Sequence, residues 1–213
     1  MKKMAFDNFE EYMDPVLYDI EHDGYQNDIP FLQKWAAKVE GTIIDIACGT
    51  GRAAIPLARK GYRLMGVDAH LGMLNEAKRK ASREGLHIEW AEQDCSALNV
   101  PITSPLVYSV GNSFQHFLTN EAQDGLLTSV NRHLKTGGIF IFDTRFPSAE
   151  ELLQPSTEEY WRSYTDPGKK LKVDVYTISR YEALAQVQHY TTIRRYRNEA
   201  GELVDEKRTN ISL

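Results

Sequence analysis

The sequence predicts an α/β fold: a mostly parallel sheet with helices on both faces, followed by a C-terminal antiparallel β meander. Three observations predict it. Between residues 42 and 144, short apolar runs alternate with helical patterns, and each helix is followed by glycine. Alternation of that kind builds a parallel sheet with crossover helices. Runs such as GIFIF (138–142) are almost continuously apolar, which suits strands covered on both faces. From residue 160 onward the pattern changes to polar–apolar alternation with period two, the mark of a sheet with one solvated face.

Residues 1–40 form an acidic and aromatic arm. Phe6, Phe9, Tyr12, Tyr18, Tyr25, Phe31 and Trp35 are interspersed with carboxylates from Asp7 to Asp28. Asp14-Pro15 has the form of an N-cap followed by proline at the first helical position, and the arm reads as two or three short helices. Strands are expected at TIIDIA (42–47), YRLMGV (62–67), HIEWA (87–91), LVYSV (106–110) and GIFIFD (138–143). Helices fit over Arg52–Lys60, Leu71–Glu84 and Glu121–Leu134, stopped by Gly61, Gly85 and Gly137-Gly138. Glycine after a helix supplies the left-handed terminator. Residues 145–160, with Pro147 and Pro155, read as a linker. KLKVDVYTISRYE (170–182), AQVQHYTTIRRYRN (185–198) and ELVDEKRTNISL (202–213) read as the meander, with NEAG (198–201) as a hairpin turn. The expected organisation is an arm over 1–40, an α/β domain over 41–145, and a linker with the β meander over 146–213.

Bulk properties narrow the function classes. The chain has 213 residues, 42% hydrophobic and 26% charged, with net charge −5. At roughly 150 residues per domain this is one domain, or one with an elaboration. An acidic chain without a basic run does not suggest a nucleic-acid groove. Cys48 and Cys95 are the two cysteines; neither sits in a CxxC pair or near a histidine at ligand spacing, so no metal site is expected and a reducing, cytoplasmic setting is the simplest reading. The N-terminus turns acidic after two lysines, without the apolar stretch of a signal peptide. No run approaches the ~18 apolar residues of a membrane span.

The first strand runs into DIACGTGRAA (45–54). Gly49 and Gly51 sit where strand turns into helix, where glycine permits a tight turn and close approach of a ligand. Asp68 ends the second strand and is placed to accept both ribose hydroxyls of an adenosine. Gly49–Ala54 also satisfies GxGxxA, which by itself admits a nicotinamide dinucleotide. Asp45 argues against that, because a carboxylate inside the strand repels a pyrophosphate and favours a cationic adenosine derivative.

The segment IIDIACGTGRAAIPLARKGYRLMGVDAHLGMLNEAKRK (43–80) resembles the first two motifs of class I S-adenosylmethionine-dependent methyltransferases. The resemblance covers residues 42–144 and implies a Rossmann-like sheet with S-adenosyl-L-methionine as cofactor. It implies that Asp45, Ala47, Cys48, Gly49 and Gly51 line the methionine part. Asp68 binds the ribose, Leu71 and Met73 pack against adenine, and Asp94 with the Cys95 backbone occupies the adenine-recognising position. Cys48 reads as a small buried spacer rather than a nucleophile.

The fourth strand runs into YSVGNSFQHF (108–117), which crowds hydrogen-bonding groups between aromatic rings. GNSFQHF resembles the GNSFAHL segment of glycine N-methyltransferases and the SSxGHL segment of sugar-amine N,N-dimethyltransferases; FDTRFP (142–147) resembles the IDHRNY of the glycine enzymes. These likenesses imply that Gly111 borders the cofactor and that Asn112 and Arg145 hold a substrate carboxylate. Gln115 joins them as a substrate contact. His116 either accepts the nucleophile's proton or positions it, so His116 and Asn112 are the candidate catalytic residues. An N-terminal tyrosine in such enzymes closes the crevice, and Tyr18 (toward cofactor) and Tyr25 (toward substrate) are the candidates. The expected activity is methyl transfer to a small molecule, an amine before an oxygen or carbon nucleophile. The rival readings are a non-catalytic cofactor-binding or interaction module and, more remotely, a nicotinamide oxidoreductase. Relatives usually finish with a hairpin beside the fifth strand, whereas this sequence stops at Leu213. Either the chain is cut short, the meander covers that edge, or a second copy does; an uncovered apolar edge favours self-association.

Overall fold

The computed structural model describes residues 8–213; Phe6 and Asp7 of the arm lie outside them. The chain divides into two units, Tyr12–Arg145 and a second formed by Phe146–Leu213 with residues 8–11.

In the first unit, five short runs rich in aliphatic residues become β1 (Thr42–Ile46), β2 (Arg63–Asp68), β3 (Glu89–Glu92), β4 (Ser104–Ser109) and β5 (Leu134–Phe142). They form one parallel sheet in the order β3-β2-β1-β4-β5. Parallel strands need crossovers, and α3 (Ala54–Arg59), α4 (Leu71–Arg83) and α5 (Asn120–His133) lie between successive strands in the chain. The order reverses between β1 and β4. In open α/β sheets that reversal leaves a crevice at the carboxyl ends of the two strands.

Strand alternation builds a core on each face. Ile43, Leu64, Leu106 and Tyr108 point one way and pack with Ile29, Leu32 and Ala36 of α2 (Ile29–Ala36) and with Ala54, Ile55 and Leu57 of α3. Ile44, Ile46, Met65, Val67 and Val107 point the other way, onto Leu126 and Val130 of α5. The arm contributes α1 (Pro15–His22) and α2. Asp14 caps α1 by accepting the Leu17 N–H at 3.0 Å, with Pro15 at the first helical position.

Two local expectations are corrected. Gly137 and Gly138 do not end α5: the helix stops at His133, and Leu134 already pairs with Ser104. The glycines lie within β5, where the register jumps from Ser104↔Leu134 to Leu106↔Ile139 and Gly137 has φ of +76°. Their conformational freedom makes a bulge rather than a helix terminator. Residues 145–160 are likewise not a plain linker, because Ser148 caps α6 (Ala149–Leu153) and β6 (Glu159–Thr165) begins inside the segment. β6 is missed because most of its residues are exposed, so it lacks a regular apolar face.

In the second unit, β6, β7 (Lys172–Glu182), β8 (Val187–Arg197) and β9 (Leu203–Ser212) form an antiparallel sheet in chain order. Val173, Val175 and Tyr196 form its small core. Arg194 is buried beside them, donating to Thr209 Oγ1 at 2.7 Å and pairing with Glu11. The NEAG turn closes as expected, with Gly201 N–H bonded to Asn198 C=O at 2.9 Å. Among the described residues no helix is long and apolar enough to cross a membrane.

Gly66, in the middle of β2, has no room for a side chain. A Cβ there would lie 2.5 Å from the Trp90 ring and 2.9 Å from Cys48 Sγ. Gly66→Ala is expected to destabilise the fold by about 1–3 kcal/mol through overpacking. Urea denaturation measures it, and an unchanged midpoint would contradict the packing described.

Candidate active site

The turn after β1 is built by backbone conformations that most residues avoid. Ala47, Gly49 and Gly51 have φ of +55°, +55° and +82°. Cys48 N–H bonds Val67 C=O at 3.0 Å, and Gly51 N–H closes onto Cys48 C=O at 2.9 Å. At Gly51 a Cβ would meet the Trp90 ring at 3.0 Å and Ile55 at 3.2 Å, so glycine is needed for space as well as for φ.

Asp68, at the end of β2, fixes this turn from the side. Its Oδ2 accepts the Gly49 N–H at 2.8 Å and its Oδ1 accepts the His70 N–H at 2.8 Å. Burial raises its pKa, opposed by those two amides. His70 in turn caps α4, its Nδ1 accepting from Met73 N–H at 3.2 Å. Leu71 is exposed, whereas Met73 is buried with its Cε against Gly49. Leu71 therefore offers open apolar surface, and Met73 supports the loop from behind. Asp94 is exposed and caps the short turn Cys95–Ala97, accepting from Ser96 N–H at 2.8 Å and Ser96 Oγ at 2.7 Å. Burial pushes the Cys95 thiol up to about 12 and the Cys48 thiol well up too, so neither is a nucleophile.

Behind the loop lies a carboxyl group inside the sheet. Asp45 is 2% exposed and accepts the Tyr108 O–H at 3.0 Å. Burial raises its pKa to about 8, opposed by Tyr108 and by the Arg52 guanidinium. Tyr18 of α1 lies within the field of Arg52 and Asp68, and burial takes its phenol up to about 12.

The arm is fixed to the loop by residues that the sequence reading did not single out. Thr50 donates to Asp19 at 2.5 Å, and Lys80 Nζ bridges Asp19 at 2.8 Å and Asp23 at 3.2 Å. Arg52 grips Asp28 with two bonds of 2.8 and 2.6 Å and donates to the Tyr25 C=O at 2.8 Å. The Tyr25 ring is half exposed, 5.5 Å from the guanidinium. The available signal was electrostatic: an acid-rich arm facing basic residues just after the glycine loop and in the next helix.

The end of β4 carries the second group of candidates. Gly111 and Asn112 have φ of +83° and +62°. The exposed Asn112 starts a short 3₁₀ turn, Ser113–His116. Gln115 Oε1 is buried and has no hydrogen-bond partner among the described residues. His116 Nε2 lies 2.8 Å from Tyr12 Oη, the phenol donating when the imidazole carries its proton on Nδ1. Burial lowers the His116 pKa to about 4, so the ring is neutral near pH 7. Arg145 follows β5 and is exposed. Asp143 and Tyr12 were missed. Asp143 accepts the Gly111 N–H at 3.0 Å and the Asn112 N–H at 2.7 Å. Its signal was present, since it closes the expected strand GIFIFD; Tyr12 was one of several similar aromatics.

The two groups meet at one edge. A Cβ on Gly111 would lie 3.5 Å from Arg52 Nη2, so the β4 end borders the glycine loop. The donor set fits S-adenosylmethionine better than a dinucleotide. The Gly49 amide is turned to Asp68 rather than outward, and Asp45 lies behind the loop. A pyrophosphate would meet the Asp68 carboxylate and oppose the ionisation of Asp45, whereas sulfonium and ammonium groups favour the ionised form of both.

Known proteins agree with this geometry. Residues 43–138 match the family model described as a methyltransferase domain. The chain is 34% identical over 109 residues to the cypemycin N-terminal methyltransferase of a Streptomyces species, covering 50% of this chain and 43% of that one. It is 30% identical over 149 residues to the ubiquinone biosynthesis O-methyltransferase of Dinoroseobacter shibae, covering 62% and 56%. The chain spans about half the length of the curated relatives it matches. A solved S-adenosylmethionine-dependent methyltransferase from Clostridium acetobutylicum is 26% identical with a TM-score of 0.72, covering 92% of this chain and 78% of that one. A carboxylate-pinned glycine loop at the sheet's switch point thus lies in the segment, residues 43–138, that is similar to a methyltransferase domain, within a fold shared with a solved S-adenosylmethionine-dependent methyltransferase.

Proposed function

We propose that the protein transfers a methyl group from S-adenosylmethionine to a small-molecule nucleophile, an amine in the first instance. The observation that carries this reading is the grouping of Asn112, Gln115 and His116 at the end of β4, beside the glycine loop at the end of β1. Among the relatives, one is named for N-terminal methylation and one for O-methylation, so the fold serves both nucleophiles and the choice rests with these side chains.

When bound, S-adenosylmethionine supplies the activated methyl group; the protein's part is to bind, orient and desolvate. Asp68 would hold the ribose hydroxyls, beside the amides of Gly49 and His70 that it already accepts. Leu71 would pack on the adenine and Asp94 would take its polar edge. Ala47, Cys48, Gly49, Gly51 and Gly111 would line the methionine part, with Asp45 balancing its positive charge and Tyr18 closing over it. Asn112 and Arg145 receive a substrate carboxylate, and Tyr25 shields the entrance. Gln115 Oε1 offers a buried acceptor to an N–H or O–H of the substrate, which removes the cost of leaving that oxygen unpaired. His116, neutral and hydrogen-bonded to Tyr12, is a weak base; it serves by orienting the nucleophile's lone pair more than by storing its proton.

Calorimetric titration with S-adenosylmethionine and with NAD in parallel tests the cofactor, and a screen of amines, amino acids and phenols for methyl transfer tests the acceptor. Binding of NAD instead, or cofactor binding without turnover on any of these classes, would overturn the proposal. Asp68→Ala is expected to weaken cofactor binding on the order of 10²-fold, since charge-assisted hydrogen bonds contribute about 1.5–3 kcal/mol each. His116→Ala should leave that affinity within about threefold and lower turnover by ~10²-fold.

Asp45 gives a pH signature. Its pKa of about 8 in the ligand-free protein means that it is largely protonated at pH 7. A cationic ligand favours the ionised form and lowers that pKa, so binding releases a proton below about pH 8. Affinity should rise with pH and level off above that value. Titrations at pH 7 in buffers of different ionisation enthalpy measure the release. Asp45→Asn should remove that release, and an undiminished buffer dependence in this variant would exclude Asp45 as its source.

A further inference from the structure

The three polar side chains at the end of β4 all hang from one short turn, closed by Gln115 N–H on Asn112 C=O at 3.1 Å and by Ser113 Oγ on Val110 C=O at 3.0 Å but entered through two residues at positive φ. Asn112 holds φ of +62°, a left-handed conformation that costs a non-glycine residue about 1–2 kcal/mol. Gly111 before it is at +83°. Asn112 is also the N-cap of the Ser113–His116 turn, yet its side chain makes no capping hydrogen bond. What holds the backbone there comes from the neighbouring strand. Asp143 follows β5 directly, and its own N–H bonds the Ser109 C=O at 3.2 Å, continuing the β4–β5 pairing by one step. Its carboxylate then reaches past the end of β4: Oδ2 takes the Gly111 N–H and Oδ1 the Asn112 N–H, at 3.0 and 2.7 Å. Two successive amides converging on one carboxylate form a small anion nest, here filled by the protein's own side chain.

We infer that Asp143 is a positioning residue of the methyl-acceptor half of the site: by gripping the Gly111 and Asn112 amides it sets where Gln115 and His116 stand. It touches the reaction only through that backbone. The inference rests on the methyl-transfer reading for its consequence, but the grip itself does not. The cofactor half is fixed separately, by Asp68 on the Gly49 amide. The two halves therefore have separate carboxylate anchors, one on β2 and one after β5.

The separation makes the test. Asp143→Asn keeps size and shape but replaces one acceptor with an NH₂ donor, which must face one of the two N–H groups. The entry to the 3₁₀ turn then loses its hold, and the half-buried His116 is no longer held against Tyr12. Proton NMR of the histidine rings follows this directly. The His116 titration, at about 4 in the wild type, should move up toward the ordinary value of 6.5. S-adenosylmethionine affinity should fall by less than about tenfold, because of the cofactor-lining residues only Gly111 hangs on Asp143 while the Gly49 loop keeps its own anchor on Asp68. Turnover on the acceptor found by screening should fall ~10²-fold, since misplacement by about an ångström is enough for that, a larger loss than that in cofactor affinity. Asp143→Glu, which keeps the charge but overshoots by one methylene, is the second variant and should shift His116 in the same direction.

An unmoved His116 titration in both variants would overturn the proposal, as would a parallel loss of cofactor affinity, which would make Asp143 an anchor of the whole site. Failure of the wild type to bind S-adenosylmethionine would instead count against the functional reading, while the histidine titration would still decide whether Asp143 holds the turn.

Discussion

The hydrogen bond from the Gly49 amide to Asp68 is the constraint around which the site is arranged. The strand β1 must turn sharply at its carboxyl end, and the loop that does so needs three residues at positive φ in a row of five. Such a loop has no regular hydrogen-bond ladder to hold it. The Asp68 carboxylate supplies a fixed acceptor from the adjacent strand, and its other oxygen anchors the start of α4 through His70. The positions of the loop, the second strand and the following helix are thereby coupled. The Gly49 amide is also turned away from any incoming anion, which sets the class of ligand the crevice suits.

Charge distribution follows from the same arrangement. Carboxyl groups at Asp45 and Asp68 surround a loop that carries Arg52, and Arg52 is itself held by Asp28 of the arm. Lys80 does the same for Asp19 and Asp23. Half-buried ion pairs of this kind add little to stability, because desolvation offsets most of the attraction. Their effect is one of placement. They bring α1, and Tyr18 with it, against the glycine loop, where the phenol lies in the fields of Arg52 and Asp68. The arm's acidity, which in composition alone looks like a solvated surface, is a set of matched contacts.

Polar groups are buried at both strand ends, and each is there at a cost that the core residues around it must offset. Asp45 and Tyr108 satisfy each other between β1 and β4. Gln115 Oε1 is left without a partner among the described residues. Partly satisfied polar groups inside a fold are destabilising, and real proteins accept them mainly where a ligand completes the set. The contrast between the satisfied Asp45 pair and the open Gln115 amide matches the division of the site. On the proposed function, this is a preorganised cofactor half beside an acceptor half that a substrate completes.

Much of this was legible in the sequence by itself. The five strands, the glycine turn, Asp68 at its strand end, the Asp14-Pro15 helix start and the Asn198–Gly201 turn all depend on local patterns: apolar periodicity, caps and glycines at fixed offsets. What only the tertiary structure decided was pairing at long range. The sequence does not say that Gly137 and Gly138 make a bulge, because this depends on where β5 takes up its register with β4. Nor does it say that Asp143 reaches back to Gly111 and Asn112, that Tyr12 out of several tyrosines meets His116, or that Thr50, Arg52 and Lys80 find Asp19 and Asp28. Each of these is a contact between residues 24 to 104 positions apart. Local propensity fixes the backbone state of a residue and the face on which it lies; which side chain it meets is settled only when strand order and helix packing bring distant segments together.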